Sequence, residues 1–429
     1  MKGELCTRSP KSGPSPFAKS GSSSWQVSVF ERSDQVPAED WNRLLSAQDW
    51  LLGLPYLGSV ESSCDDQVTP AYVLVYQADQ PVYLTYFQLI ECGEAQLSWI
   101  NELVQNHDPS PNWFQRRVIR WLENRNKRKP FQLLLQGNAL LTTEQNFCAS
   151  PQLTQDQLGC IQAEVLHQIQ SAFPELDGVL YKDVPSTQTH LHDSLTQAGF
   201  YPIQAEPEMR LSLPAEWEEF ADYRSALKSK YRQRLKSTYK KSLPLEVRLM
   251  NAEEVLNHQR EIIALFKQVA NEEKFHLALP GPAYFFRILK AEPNQVQCFG
   301  YWDKQRLVSF AFLLKNTHQG HIAHFIGMEP RRNQIQKVYL RMLYDQIGQS
   351  LQDQANQLSM GRTAMEIKST IGATPVELTN YFWVRASWFR RFLARFVPQL
   401  PSLDWTQRHP FKHPPIPVSL SPTPNAATS

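Results

Sequence analysis

Three short apolar stretches, VQCFGYW (296–302), LVSFAFLLK (307–315) and GHIAHFIGM (320–328), follow one another with only turn-length connections, the first being Asp303-Lys304-Gln305. Strands joined this tightly form an antiparallel meander. Around it the chain reads in a fixed order. LEVRLM (245–250) is a strand, NAEEVLNHQREIIALFKQVANEEK (251–274) a helix opened by Asn251 with Glu254 three residues on, and GPAYFFRILKA (281–291) a second helix. After the meander come a long helix, NQIQKVYLRMLYDQIGQSLQDQA (333–355), a strand QLSMGR (357–362), a short helix TAMEIKSTIGA (363–373) and a last strand VELTNYFWVR (376–385). Strand, two helices, three-strand meander, helix, strand, helix, strand is an α/β pattern with a mixed sheet.

The first half shows a similar, less regular order. WQVSVF (25–30) alternates as a strand, and PAEDWNRLLSA (37–47) opens as a helix with Pro and early acids. AYVLVYQ (71–77) and VYLTYFQLIE (82–91) make a hairpin, followed by a short strand near AQLSWI (95–100) and a helical spacing of Trp113, Val118, Trp121 and Leu122 within 112–129. FQLLLQG (131–137) and GVLYKDV (178–184) read as strands, 154–173 and 190–199 as helices, and PEMRLSL (207–213) as a strand crossing out of the domain. A chain of 429 residues holds two such domains comfortably. Expected boundaries are a disordered segment 1–24, a first domain 25–213, a second domain 214–396 with a basic helix 218–242, and a Pro-rich, extended tail 397–429.

Charge and cysteine usage exclude several classes. Lys+Arg at 44 against Asp+Glu at 42 leaves a net charge of +2, so charge-driven binding has to come from local clusters. The 6 cysteines form no C-x-x-C pair, which excludes zinc-ribbon and thioredoxin-type sites, and their scatter suits reduced thiols. No run of about 18 apolar residues is present to span a bilayer as a helix. The basic N-terminus lacks the apolar core of a secretory signal, and the expected compartment is the cytoplasm.

The segments YRSALKSKYRQRLKSTYKK (223–241), GMEP (327–330), KVYLRMLYDQI (337–347) and above all GRTAMEIKSTIGA (361–373) resemble the bacterial FemAB-like branch of the GNAT N-acyltransferase superfamily, and LLLQGNALLTTEQNF (133–147) is similar to the matching part of that family's first domain. The resemblance covers about residues 25–395. It implies two tandem GNAT-like acyl-CoA N-acyltransferase domains and transfer of an acyl or aminoacyl group to an amine. The implied donor substrate is acyl-CoA or aminoacyl-tRNA, with no tightly bound cofactor; the acceptor is an amine such as a cell-wall precursor. The chain departs from the acetyl-CoA-binding pattern at GMEPRRNQIQK (327–337), which lacks the glycine pair of the usual pyrophosphate loop.

Candidate residues follow from local chemistry. Lys228, Lys230, Arg232 and Arg234 belong to a run of cations at 224–241 without an acid, suited either to the phosphates of a donor or to solvent. Arg331 and Arg332 stand at a helix start where a phosphate can bind. Gly361 ends a strand with Arg362 where the sheet opens, and Lys368 lies on the short helix that follows; Arg362 and Lys368 face either a substrate cleft or an internal ion pair fixing that helix to the sheet. His324 and Glu329 are the candidate general bases. His318, His321 and His324 alternate faces on a strand, so they do not make a metal site. Glu272, Glu273 and His276 form a small polar cluster, and Lys182 and Asp183 lie at a strand end in the first domain. Phe389, Phe392, Leu393 and Phe396 opposite Arg391 and Arg395 suit peripheral contact with the inner face of a membrane or packing onto the second domain. The two domains are expected to share a cleft that pins the donor against the basic helix. The rival reading is a non-catalytic GNAT-like module binding tRNA, another anionic polymer or a membrane surface.

Overall fold

The computed structural model describes residues 25–64, 68–93, 120, 124, 129–204, 206–271, 276–386 and 405–415. The segment 1–24, the strand near 95–100, nearly all of the 112–129 helix, Glu272, Glu273, the 388–396 helix and the rest of the tail lie outside the described residues.

The first unit runs β1 (Gln26–Phe30), α1 (Ala38–Arg43), α2 (Leu54–Glu61), β2 (Val68–Gln77), β3 (Gln80–Cys92), β4 (Phe131–Gln136), β5 (Phe147–Ala149), α3 (Gln155–Ala172), β6 (Gly178–Pro185), α4 (Thr189–Gln197) and β7 (Tyr201–Gln204). The β2–β3 hairpin turns on Ala78 and Asp79, both at positive φ, the geometry that matches the twist of a two-residue hairpin. Thr154 caps α3 in a reciprocal box with Gln157.

Strand β8 (Glu208–Ser212) leads into the second unit: α5 (Phe220–Ala226), α6 (Ser229–Ser242), β9 (Glu246–Met250), α7 (Ala252–Asn257), α8 (Gln259–Ala270), α9 (Tyr284–Ala291), β10 (Val296–Asp303), β11 (Arg306–Thr317), β12 (Gly320–Met328), α10 (Pro330–Gln336), α11 (Val338–Gln352), β13 (Gln357–Ser359), α12 (Met365–Ser369), β14 (Thr374–Val376) and β15 (Leu378–Val384). The meander β10–β11–β12 and the crossover through α11 to β13 are as the sequence predicts.

Two mixed sheets result, in the orders β1-β2-β3-β4-β6-β15-β7 and β14-β8-β13-β12-β11-β10-β9. Each has a parallel pair, β4 with β6 and β12 with β13. The sheets also exchange strands. β8 continues from the first unit yet lies between β13 and β14 of the second sheet, and β15 returns from the second unit to lie between β6 and β7 of the first. A boundary at 213/214 divides the sequence but not the sheets.

Alternation along the strands separates three cores. Tyr72, Leu74, Phe310 and Phe312 face a core between the sheets, shared with Trp41, Tyr56 and Leu57 of the first unit and Ile262, Phe266, Phe285 and Ile288 of the second. Val73, Val75 and Phe87 face outward onto α3 and α4. Val308, Ala311 and Leu313 face outward beneath α5, α6 and α11.

Three helices expected to be continuous are broken. The 218–242 helix parts at Leu227 and Lys228, both extended, because the returning tail takes their hydrogen bonds: Lys228 N donates to Pro410 O at 2.7 Å, and Leu227 bridges Phe411. The 251–274 helix breaks at His258, whose ring stands edge-on to Trp302. The 333–355 helix begins three residues early and breaks at Lys337, at φ 56°. The tail at 405–415 is extended, as expected, but docked, with Phe411 only 5% exposed.

Because each sheet holds an interior strand from the other half, the chain is expected to unfold in one calorimetric transition. Residues 25–213 expressed alone, lacking β15, are expected to show no cooperative melt; an independent transition for that fragment would contradict the exchange.

Candidate active site

β12 pairs with β13 only at His321↔Leu358 and Ile322↔Ser359, then runs on to Met328 as the two part. Just past the parting point its register against β11 shifts. Leu313 faces Ala323 and Ala311 faces Ile326, so Phe312 stands opposite both His324 and Phe325. This is a β-bulge, which withdraws one backbone position from the ladder. It also turns both rings to the side between the units, with centroids 4.2 Å apart. Phe325 packs against Phe266, Tyr284 and Phe285.

A chain of polar groups runs from the bulge into the first unit. His324 Nε2 and the Tyr284 hydroxyl are 2.8 Å apart, the Tyr284 and Tyr56 hydroxyls 3.4 Å, and Asn138 Nδ2 donates to the Tyr56 oxygen at 3.4 Å. Tyr284 is on α9 and Tyr56 on α2, the helices that pack together between the sheets. Burial pushes His324 down to about 3 and both phenols well above their ordinary range. The chain is therefore neutral near pH 7. Such groups hand a proton along through paired donor and acceptor sites without holding charge.

Glu329, at the far end of β12, lies between Arg306, with which it makes a two-pronged contact, and Arg332 at 3.5 Å. Arg332 also pairs with Asp303, and Arg331 is exposed. A shallow depression of about 700 Å³, lined by His258, Glu261 and residues 303–307, lies at this end of the sheet.

The basic helix α6 packs on α10 and α11 over the outer core. Tyr239 anchors it, donating to Asp345 at 3.0 Å beneath the Arg341 guanidinium, 4.4 Å from the ring centre. Lys228, Lys230 and Arg234 are exposed, while Arg232 donates to Leu227 O at 2.9 Å and closes the helix break. The expected arrangement, with this helix facing a cleft shared by the two units, is therefore corrected: α6 lies on the outward face of the second sheet, and the space between the units is filled by packed apolar and ionic groups.

Those ionic groups account for Arg362, Lys182 and Asp183. Gly361 ends the β13 segment at φ 70°, and Arg362 then crosses to Asp183 and to Glu206 O. Lys182 pairs with Asp183 and donates to Leu141 O, tying down the loop after β4. Thr143 N donates to Asp183 at 3.2 Å, and Asn380 Oδ1, on the exchanged β15, accepts from Asp183 N at 2.8 Å. Beside them Arg210, on the exchanged β8, pairs with Glu208 and, at 2.5 Å, with Glu144 of the first unit. Burial acts to raise the Asp183 carboxyl, but the Lys182 and Arg362 charges outweigh it and hold it below its usual range. Lys368 is buried on α12.

The other histidines have separate partners: His318 with Asp49 at 2.6 Å, His321 with Asp353 at 3.0 Å and His276 with Ala270 O at 2.9 Å. Among the described residues no three metal-ligating side chains converge, and Cys64, Cys92, Cys148, Cys160 and Cys298 are unbridged. No described helix is long and apolar enough to cross a membrane.

No family model and no curated protein matches this sequence. Solved structures of similar shape include a tandem GNAT protein from the clavulanic acid biosynthesis pathway, at 8% identity over 84% of this chain and 98% of that one, with a TM-score of 0.48. Another is the C-terminal domain of a putative lysylphosphatidylglycerol synthetase from Agrobacterium fabrum, at 9% identity over 84% and 95%, TM-score 0.44. A third is a GCN5-related N-acetyltransferase from Sphaerobacter thermophilus, at 10% over 84% and 95%, TM-score 0.37. These are likenesses of outline only. The tandem α/β architecture with two mixed sheets stands on the strand order of the chain itself.

Tyr284, Tyr56 and Asn138 were not singled out from the sequence. Tyr284 looks like one more aromatic on an apolar helix face, and only its partner across the bulge marks it.

Two outcomes are expected. His324 and His321 are both held below the ordinary imidazole range, mainly by burial, so the unfolded chain takes up protons first. Folding stability should be full above about pH 6.5 and fall as the pH drops below it, less steeply in His324→Gln, as read by chemical denaturation across pH. Arg362→Met should lower the unfolding free energy by about 3–5 kcal/mol, because it strips a cation from a buried carboxylate. A loss within the range of a surface substitution would show that the Asp183 cluster does not hold the units together.

Proposed function

We propose that the protein is an N-acyltransferase acting at the β12 bulge. The observation that supports this most directly is the coincidence of the bulge, the parting of β12 from β13 and the His324–Tyr284 pair. In this reading the acyl carbonyl of a thioester donor lies against backbone donors released by the bulge, which stabilise the oxyanion of the tetrahedral intermediate. The acceptor amine attacks the carbonyl carbon, the carbon–sulfur bond breaks, and the Tyr284 and His324 pair passes the amine's proton to the departing thiolate. Since His324 is a weak base, the amine has to arrive neutral, and orientation supplies much of the rate.

The narrower form of the reading takes aminoacyl-tRNA as donor and a cell-wall precursor as acceptor. It draws support only from the FemAB-like run 361–373, and peripheral membrane contact through 388–396 belongs with it. A second reading, a polyanion-binding module without catalysis, is favoured by one observation: the cations Lys230, Arg234, Lys236, Lys240 and Lys241 are exposed along α6. Thiol release from acetyl-CoA with a panel of primary amines separates the two. Turnover that falls about a hundredfold in Tyr284→Phe supports transfer at the bulge. No thiol release, together with salt-sensitive binding of tRNA, supports the module.

A further inference from the structure

We propose a phosphoryl-binding site beneath the C-terminal strap, independent of the bulge and of any transfer reaction there. Residues 405–415 lie across the second unit, fastened by Lys228 N to Pro410 O at 2.7 Å, Lys412 N to Ala226 O at 2.9 Å and Arg408 N to Ser369 Oγ at 3.0 Å. Phe411 is the apolar anchor, with ring centroids 5.4 Å from Trp217 and 5.9 Å from Tyr223. Its ring lies where a side chain at position 372 would project: a Cβ there would be 2.1 Å from Phe411, and φ is +104°, so only glycine serves.

Between the strap and the start of α6 is a cavity of about 180 Å³, whose polar lining includes Lys228, Arg408, His409, Lys412, Ser212 and Thr374. Among the described residues its lining contains no carboxylate. The nearest acid in contact is Glu366, which takes Arg408 Nε at 3.1 Å and Nη2 at 2.5 Å. Among the described residues Lys228 Nζ donates to His409 O at 3.0 Å and Lys412 Nζ to Ser225 O at 2.9 Å. Each ammonium carries three donors, so both keep protons to give.

Arg408 is already neutralised by Glu366, but Lys228 and Lys412 flank the same small hollow and repel one another unless an anion joins them. Their spare ammonium donors, with the Ser212 hydroxyl, suit the several acceptor oxygens of a phosphoryl dianion better than a single carboxylate. Lys228 also precedes a helix whose first turn holds no acid, so the helix dipole adds to the same field. Because two of the cations ride on the strap, the bound group would tie the strap to the body. The cavity lies at the β8–β14 edge, whereas the bulge is on β12.

Calorimetric titration of the full chain with inorganic phosphate and, separately, with adenosine 3′,5′-bisphosphate tests the site. Either ligand is expected to bind and to weaken about tenfold in Lys228→Gln and again in Lys412→Gln. Binding of phosphate itself identifies a free-anion site; binding of the bisphosphate alone identifies a site for the phosphomonoester of a larger ligand. Absence of binding by both, or unchanged affinity in both variants, overturns the proposal. Since Lys228 and Lys412 are exposed, the variants should keep the wild-type melting temperature, which guards against reading misfolding as lost binding.

Discussion

The reciprocal placement of β8 and β15 is the constraint on which the rest of the structure depends. An interior strand makes hydrogen bonds on both edges, so removing one would leave two rows of backbone groups unpaired. β8 supplies both edges to β13 and β14, and β15 does the same for β6 and β7. The ion pairs between the units follow from that placement. Arg210 reaches Glu144 because β8 carries it into the second sheet, and Asn380 reaches the Asp183 backbone because β15 lies beside β6. These charges are few and matched, as burial requires: unpaired, each would cost several kcal/mol.

The interface divides into two chemical zones. Around α2, α8 and α9 it is aromatic and apolar, and there the Tyr56–Tyr284–His324 chain is neutral because nothing nearby favours a charged form. Around β6, β8 and Arg362 it is ionic. Polar groups in the first zone are kept uncharged by desolvation, while rigidity comes from the second. The bulge sits on a strand whose start is clamped by both neighbours and whose end is held by Arg306 and Arg332 through Glu329.

Much of the fold was legible in the sequence. Alternating or apolar runs marked most of the described strands and the order around the meander was correct, but the short β5, β7 and β14 were not anticipated. Sheet membership was not legible, because PEMRLSL and VELTNYFWVR report that they have buried faces but not against which sheet. The helix breaks at Leu227, His258 and Lys337 escaped for a related reason: local pattern stayed helical, and the break comes from partners distant in sequence such as Pro410 and Trp302. At the site, spacing picked out His324 and Arg362 but not what they touch. Arg362 turned out to cross to the first unit, an outcome that an ion pair within the second domain would not anticipate. The basic run was plain in the sequence, yet its direction was not, since an unbroken row of cations looks the same whether it faces a cleft or bulk water.

The exchange of strands also bears on how the chain is made. Synthesis delivers the first unit's helices and most of its strands long before β15 leaves the ribosome, so that sheet must wait with a gap between β6 and β7. The nascent first half would expose two unsatisfied strand edges during that interval, a state prone to pairing with other chains. A protein built this way depends on its final strands emerging promptly, and slow translation of the second half would cost more than it does for domains that close one after another.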